Sequence, residues 1–118
     1  MKRLNAIMSF IDEKDVVADI GCDHGYLLKL AIENKNIIKG YAIDNKNGPL
    51  ESAKNNLGCY TNIDFILSDG LKNVDNEDIN CVVIAGMGGM LINSIISDSI
   101  EKFKKVNKMI LCPNVFNM

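Results

Sequence analysis

The sequence predicts an α/β domain, a doubly wound sheet of five parallel strands with helices on both faces. Short apolar runs alternate with longer stretches of helical periodicity, the pattern that strand–helix–strand units leave in a sequence. The runs are apolar at nearly every position rather than at every second one, so these strands need cover on both faces. An aspartate also stands at or just past the end of each of the first three runs (Asp19, Asp44 and Asp69). In such sheets the carboxyl ends of the strands are where ligands bind.

The elements follow in order. Leu4, Ile7, Met8 and Ile11 fall at helical spacing and predict an opening helix. Val16–Ile20 is the first strand, ended by Gly21. Tyr26–Glu33 is a helix that turns Leu27, Leu28, Leu30 and Ala31 toward the sheet. Ile38–Ile43 is the second strand. Pro49–Asn56 is the next helix, with Pro49 suited to a first turn, where its missing N–H is no loss. Asp64–Leu67 is a short third strand. Ile79–Ala85 is the fourth and the most apolar stretch, which predicts the most central place in the sheet. Met90–Phe103 is a further helix, and Lys108–Cys112 a fifth strand that Pro113 should stop. With no repeat, linker or low-complexity segment, residues 1–118 read as one domain.

Composition narrows the function classes. The net charge of −2 gives no electrostatic footprint for nucleic acid, and the one basic cluster (Lys102, Lys104, Lys105, Lys108) reads as a solvated helix face. Cys22, Cys59, Cys81 and Cys112 form no C-x-x-C pair and His24 is the single histidine, so no metal site is expected. Reduced thiols, no apolar run of membrane-spanning length and no signal-peptide core predict a cytoplasmic protein without a membrane partner.

The chemistry concentrates in the first turn, Asp19-Ile20-Gly21-Cys22-Asp23-His24-Gly25-Tyr26. Gly21 and Gly25 permit positive φ and close ligand approach. Asp44 follows Gly21 by the twenty-odd residues at which an acidic side chain accepts hydrogen bonds from both ribose hydroxyls. That spacing suits a dinucleotide and S-adenosylmethionine alike, but the turn separates them. A G-x-G-x-x-G fingerprint needs glycine where Asp23 and Tyr26 stand. A carboxylate there repels a diphosphate, whereas S-adenosylmethionine has no phosphate and carries an ammonium and a sulfonium, which Asp19 and Asp23 suit. Asp69 in Ser68-Asp69-Gly70 either bonds the cofactor's adenine amino group or forms a turn with Gly70. Ala85-Gly86-Met87-Gly88-Gly89 carries more glycine than a strand-to-helix turn requires, which points to close backbone approach. Free amides at the next helix start can also hold a phosphate.

These residues together resemble a known family. Val17–Leu27, with its D-I-G-C-D-H-G-Y string, resembles the first motif of the bacterial tRNA (adenine-N1)-methyltransferases called TrmK. Gly48-Pro49-Leu50 with Ala53, then Ser68-Asp69-Gly70-Leu71, then Ile84–Gly89 are similar to that family's successive motifs, in order. Leu111-Cys112-Pro113-Asn114 resembles its fifth-strand ending, with cysteine where glutamine is more usual; Arg3-Leu4 and Phe10-Ile11 resemble its opening. The resemblance implies a class I methyltransferase (Rossmann-like) fold, S-adenosylmethionine as cofactor, tRNA as partner and methyl transfer to N1 of adenine 22. The family continues into the last strands and a helical C-terminal domain, so the expectation is an N-terminal portion of such an enzyme, lacking that domain.

The expected cofactor site comprises Asp19, Gly21, Asp23, Gly25, Asp44, Asn45, Asp69, Gly70, Ala85, Gly86 and Met87. His24 and Asn114 are the catalytic candidates: His24 to orient or stack on a flipped base, Asn114 to accept from its amino group through the amide oxygen. Tyr26 can pack under cofactor or base. Three alternatives stay open: methylation of another nucleic acid, methylation of a small molecule, or cofactor binding without turnover. Self-association through the bare edge of the fifth strand also stays open.

Overall fold

The computed structural model describes residues 2–114. Along the chain run α1 (Lys2–Met8), β1 (Val16–Ile20), α2 (Tyr26–Lys35), β2 (Lys39–Asp44), α3 (Asn47–Leu57), β3 (Ile63–Leu67), β4 (Cys81–Gly88), α4 (Gly89–Asp98), α5 (Ile100–Phe103) and β5 (Lys108–Asn114). The strands form one sheet of order β3-β2-β1-β4-β5, every neighbouring pair parallel. From β1 the chain winds outward through β2 to β3, then crosses back to β4 on the other side. The strand order therefore reverses between β1 and β4, the place where doubly wound sheets open a crevice at their carboxyl ends.

Side chains alternate across each strand, and two apolar layers result. One face buries Val17, Ala42, Cys81 and Val83 beneath Ile7 and Met8 of α1, Leu27, Leu28 and Ala31 of α2, and Leu50, Ala53 and Leu57 of α3. The other buries Ala18, Ile20, Ile43, Val82 and Ile84 beneath Ile92 and Ile95 of α4, Phe103 of α5, and Leu71 and Val74 from the segment after β3.

The structure corrects several boundaries and one position. β1, not β4, is the middle strand. Apolarity reports burial on both faces, which the two strands share, while lateral order is set by the crossovers. β4 begins at Cys81, and it does not end at Ala85: it runs on to Gly88 through a register shift at which Gly86 takes φ 79°. The glycine-rich segment is thus a bulged strand end that enters α4 directly. The expected helix over Met90–Phe103 breaks at Ser99, whose φ −135° and ψ 37° are not helical. β5 continues through Pro113 to Asn114, because a proline on an edge strand forfeits no ladder bond that the sheet needs. Ile11 is buried although the opening helix stops at Met8.

Lys104 and Lys105 of the lysine cluster are exposed as expected, whereas Lys102 and Lys108 are half-buried. Lys108 lies on β5, where its Nζ donates to the buried Asp15 carboxylate at 2.7 Å and to the Phe10 carbonyl at 2.6 Å. Lys102 donates to the Leu71 carbonyl at 2.7 Å, the Lys72 carbonyl at 3.1 Å and Asp75 at 3.1 Å, tying α5 to the segment after β3. No helix among the described residues is long and apolar enough to cross a membrane, and none of their side chains group in a way that would hold a metal ion.

Leu28 is fully buried between α2 and the sheet. Leu28→Ala is expected to destabilise the domain by about 2–5 kcal/mol in a denaturant titration, through lost transfer free energy plus a cavity. Leu111→Ala, at an exposed position of β5, should stay within about 0.5 kcal/mol of the parent.

Candidate functional site

The turn after β1 is stitched to β2. The amides of Gly21 and Cys22 both donate to the Ile43 carbonyl, at 2.8 and 2.9 Å, and the Gly25 amide donates to the Cys22 carbonyl at 2.8 Å. Positive φ at Gly21 (76°), Asp23 (51°) and Gly25 (82°) lets the chain coil so tightly; aspartate is among the few side chains that accept it. Gly21 is required twice over, since a Cβ there would also collide with the Met87 methyl group. Gly25 serves packing: it caps α2, and a Cβ on it would stand 2.7 Å from Leu57 Cδ1.

Strand alternation decides what faces the crevice. Asp19 stands in register with Ala42 on one side and Val83 on the other, on the face covered by α1–α3. Asp44 and Ala85 lie two residues further along those strands and so point the same way. Together they floor a cleft of about 640 Å³, within the range of small-molecule sites. Gly21, Asp23, His24, Asn45, Gly86 and Met87 line it as well, joined by Tyr26, Arg3 and Leu4 of α1, Lys46 and Pro49. A second cavity of about 190 Å³ opens on the α4 side, lined by Ile20, Ser68, Asp69, Gly70, Leu91 and Ile95. Gly21, Asn45, Lys46 and Met87 border both, so the two are compartments of one crevice. Of the expected cofactor residues, only Gly25 lines neither. The Asp69 carboxylate is exposed and lies 3.2 Å from Lys72 Nζ.

The floor carries an unanswered charge. Asp19 is only 4% exposed, yet its carboxylate has no hydrogen-bond partner among the described residues and opens into the cleft. Burial, reinforced by Asp44 and Asp23, raises its pKa from 3.8 to about 7. The same causes, burial first and then these three carboxylates, push the Cys22 thiol up to about 12, so it stays protonated and unreactive. Asp44, 7% exposed, accepts one amide on each oxygen: Asp23 N on Oδ2 at 3.2 Å and Lys46 N on Oδ1 at 3.1 Å. A carboxylate has about four acceptor positions, so each oxygen keeps one for a ligand.

At the rim His24 is exposed but held. Its Nδ1 shares a 2.7 Å hydrogen bond with Ser52 Oγ, its carbonyl accepts from Asn56 Nδ2 at 2.8 Å, and its ring lies 5.5 Å from that of Tyr26. Tyr26 itself is 55% exposed at the mouth of the cleft. Asn114 is not in the lining. Its Nδ2 donates to the Gly86 carbonyl at 2.8 Å, and its Oδ1 accepts from Arg3 Nη2 at 3.3 Å. The oxygen expected to accept from a substrate amino group thus accepts once already and keeps one lone pair. Sequence reasoning gave no role to Arg3, Lys46 or Ser52. Arg3 had a signal, as the only arginine in the chain; Lys46 and Ser52 stand out in neither composition nor spacing.

A sequence profile of the family described as "methyltransferase domain" matches residues 1–117. A Bacillus subtilis protein named tRNA (adenine(22)-N(1))-methyltransferase is 34% identical over 117 residues, which cover 97% of this chain and 49% of the relative. The structure of M. capricolum TrmK with S-adenosyl-homocysteine superposes with a TM-score of 0.83 at 31% identity, covering 98% of this chain and 53% of that one. A Streptococcus pneumoniae protein solved with S-adenosyl-L-methionine gives 0.89 at 32% identity, covering 98% and 56%. The chain belongs to the methyltransferase-domain family, and it spans about half the length of the curated relatives it matches.

Burial of Asp19 sets a pH dependence of stability. The unfolded carboxyl ionises near 3.8 and the folded one at about 7, so between those values the folded state holds the extra proton. Stability is then greatest at the acid end of that window and declines as pH rises through about 7. Asp19→Asn removes the dependence. Ligand-free at about pH 8, the variant should exceed the parent by on the order of 2 kcal/mol, after allowance for desolvation of the amide. Near pH 4 the two should converge. Denaturant titrations at both pH values measure the difference.

Proposed function

We propose that this chain forms the cofactor-holding half of an S-adenosylmethionine-dependent methyltransferase acting on N1 of an adenine in tRNA. The observation that carries the reading is Asp19: a carboxylate nine-tenths buried, without a partner, at the floor of a cleft. Such a group fits a cationic ligand. A diphosphate would meet Asp19, Asp23 and Asp44 in the same cleft and be repelled.

When bound, S-adenosylmethionine supplies an electrophilic methyl group. The chain's residues divide the work of holding it. Asp19 receives the ammonium end, and Asp23 adds negative potential nearby. Asp44 offers its two remaining acceptor positions, one per oxygen, to the paired ribose hydroxyls. The smaller compartment, apolar at Ile20, Leu91 and Ile95 and polar at Ser68 and Asp69, suits adenine with its amino group. Gly70 lets the backbone fold against it, at φ 60°.

Substrate chemistry asks little more of the protein. Adenine N1 has an in-plane lone pair, so no proton has to leave before it attacks; orientation and stabilisation of the new positive charge are what remain. His24 and Tyr26 sit at the rim, where a flipped base would arrive. Ser52 holds the His24 ring by its Nδ1, and the ring's Nε2 lies 3.8 Å from the Asp23 carboxylate. Asn114 holds the end of β4 through Gly86, and its Oδ1, which accepts once from Arg3, keeps one acceptor position for the base. The name of the Bacillus subtilis relative supports adenine 22 as the position, and a tRNA substrate implies work in the cytoplasm.

Calorimetric titration should detect S-adenosylmethionine and S-adenosylhomocysteine but not NAD, with affinity rising through about pH 7 as Asp19 ionises. Tight NAD binding with silence toward the other two overturns the reading. In assays of the full-length protein on unmodified tRNA, label should appear at adenine N1 and be lost by a factor of 100 or more, roughly, in Asp44→Ala. Label on a small molecule instead would move the substrate assignment.

A further inference from the structure

At the end of the sheet opposite the crevice, the α4 layer leaves a cavity of about 170 Å³. It lies beside the amino ends of β4 and β5, between the segment that follows β3 and the link from α5 to β5. It shares no residue with either compartment of the crevice. The floor is aliphatic: Leu71, Val74 and Ile79 are core residues, 3%, 3% and 7% exposed, and Val106 packs against them. An apolar cavity of about 150 Å³ already admits benzene, so a branched aliphatic group fits here. The walls are fixed. Lys102 Nζ donates to the Leu71 and Lys72 carbonyls and to Asp75, and the Val74 amide donates to the Leu71 carbonyl at 3.0 Å. Lys102 and Asp75 therefore answer one another across the mouth, 3.1 Å apart. Lys105 on the α5–β5 link and Glu77 on the facing segment do not: neither has an ion-pair partner among the described residues. A buried aliphatic floor thus opens between a free ammonium on one side and a free carboxylate on the other.

We propose that this cavity is a second ligand site, which takes a free α-amino acid with an aliphatic side chain. The side chain lies on the Leu71, Val74, Ile79 and Val106 floor, the carboxylate meets Lys105 and the ammonium meets Glu77. The charges at the mouth select among small apolar ligands. A carboxylate without an ammonium would face Glu77 and Asp75 unanswered, and an amine without a carboxylate would face Lys105 and Lys102. A plain hydrocarbon would leave both free charges as they are. A zwitterion with both groups on one carbon answers the two sides together. The site stands apart from the methyl-donor reading, since it is built from other residues at the other end of the sheet.

The test is an NMR titration of the chain with four probes: leucine, its deaminated analogue 4-methylpentanoate, its decarboxylated analogue 3-methylbutylamine, and glycine. Leucine should shift the methyl signals of Leu71, Val74, Ile79 and Val106, with a Kd on the order of a millimolar for so small a ligand. Each singly charged analogue should bind about two- to fivefold more weakly, because charge pairs at an exposed mouth contribute modestly. Glycine, with no side chain for the floor, should leave these signals unmoved. Lys105→Ala should weaken leucine and 4-methylpentanoate but not the amine, and Glu77→Ala should weaken leucine and the amine but not 4-methylpentanoate. Both positions are exposed, so these variants should fold. Val106→Phe, which fills the cavity from its side, should abolish the leucine response in a protein that still melts cooperatively. Leucine shifts that survive in folded Val106→Phe would overturn the proposal, since the ligand would then sit elsewhere. An analogue or glycine binding as tightly as leucine would overturn it too, as would a parent that shows no leucine response.

Discussion

Asp19 is the penultimate residue of the middle strand of the sheet, in register with Ala42 and Val83 and within the field of Asp44 and Asp23. Its neighbours Val17 and Ala18 are wholly buried, so the backbone that presents it has nowhere to go. An ionised carboxylate largely removed from water, with no hydrogen-bond partner among the described residues, costs free energy. The sheet tolerates it because both flanking strands pair with β1 along almost its whole length. A cation in the cleft would supply the missing interaction, which couples ligand binding to stability at this residue. The rest of the site is arranged around it: acids on the floor, a guanidinium in the wall, and a histidine and a tyrosine at the rim.

The turn after β1 sets three walls at once. Two of its amides on the Ile43 carbonyl bring it against β2, and its Asp23 amide on Asp44 fixes that carboxylate's rotamer. Gly21 admits the Met87 side chain across its α-carbon, which places the divider between the two compartments. Gly25 lets α2 start close to α3, and from α3 Ser52 reaches back to His24. A single tight coil of backbone thus relates the ends of β1, β2 and β4 to the starts of two helices.

Much of this is legible in the sequence. Apolar runs with helices between them imply a parallel sheet, and carboxylates at strand ends imply where the crevice lies; both follow from local patterns. What the residues could not disclose is set by contacts distant in sequence. The central place of β1 depends on which way each crossover turns, and apolarity is blind to that. Pro113 looked like a terminator because its lateral position was unknown, and proline is permitted on an edge. The polarity of Asn114 near a strand end is visible in the sequence, whereas its contacts with Gly86 and Arg3 are not. Ser99 breaks a helix where periodicity alone runs on. Ser52 is an ordinary helical serine until the fold brings it to His24.

The order of the strands has a further consequence for how the chain reaches this state. β1 leaves the ribosome well before β4, yet Val17 must find Cys81 and Asp19 must find Val83 before its second edge is paired. Until then the most buried strand of the molecule presents an open row of amides and carbonyls on one side. Contacts so distant in sequence slow folding, because a long loop has to close before they form. The early partner β2 can shelter only one edge of β1, so the nascent chain depends on β4 being made before the sheet can close. The carboxylate near the end of β1 is therefore made well before the strand that encloses its second side.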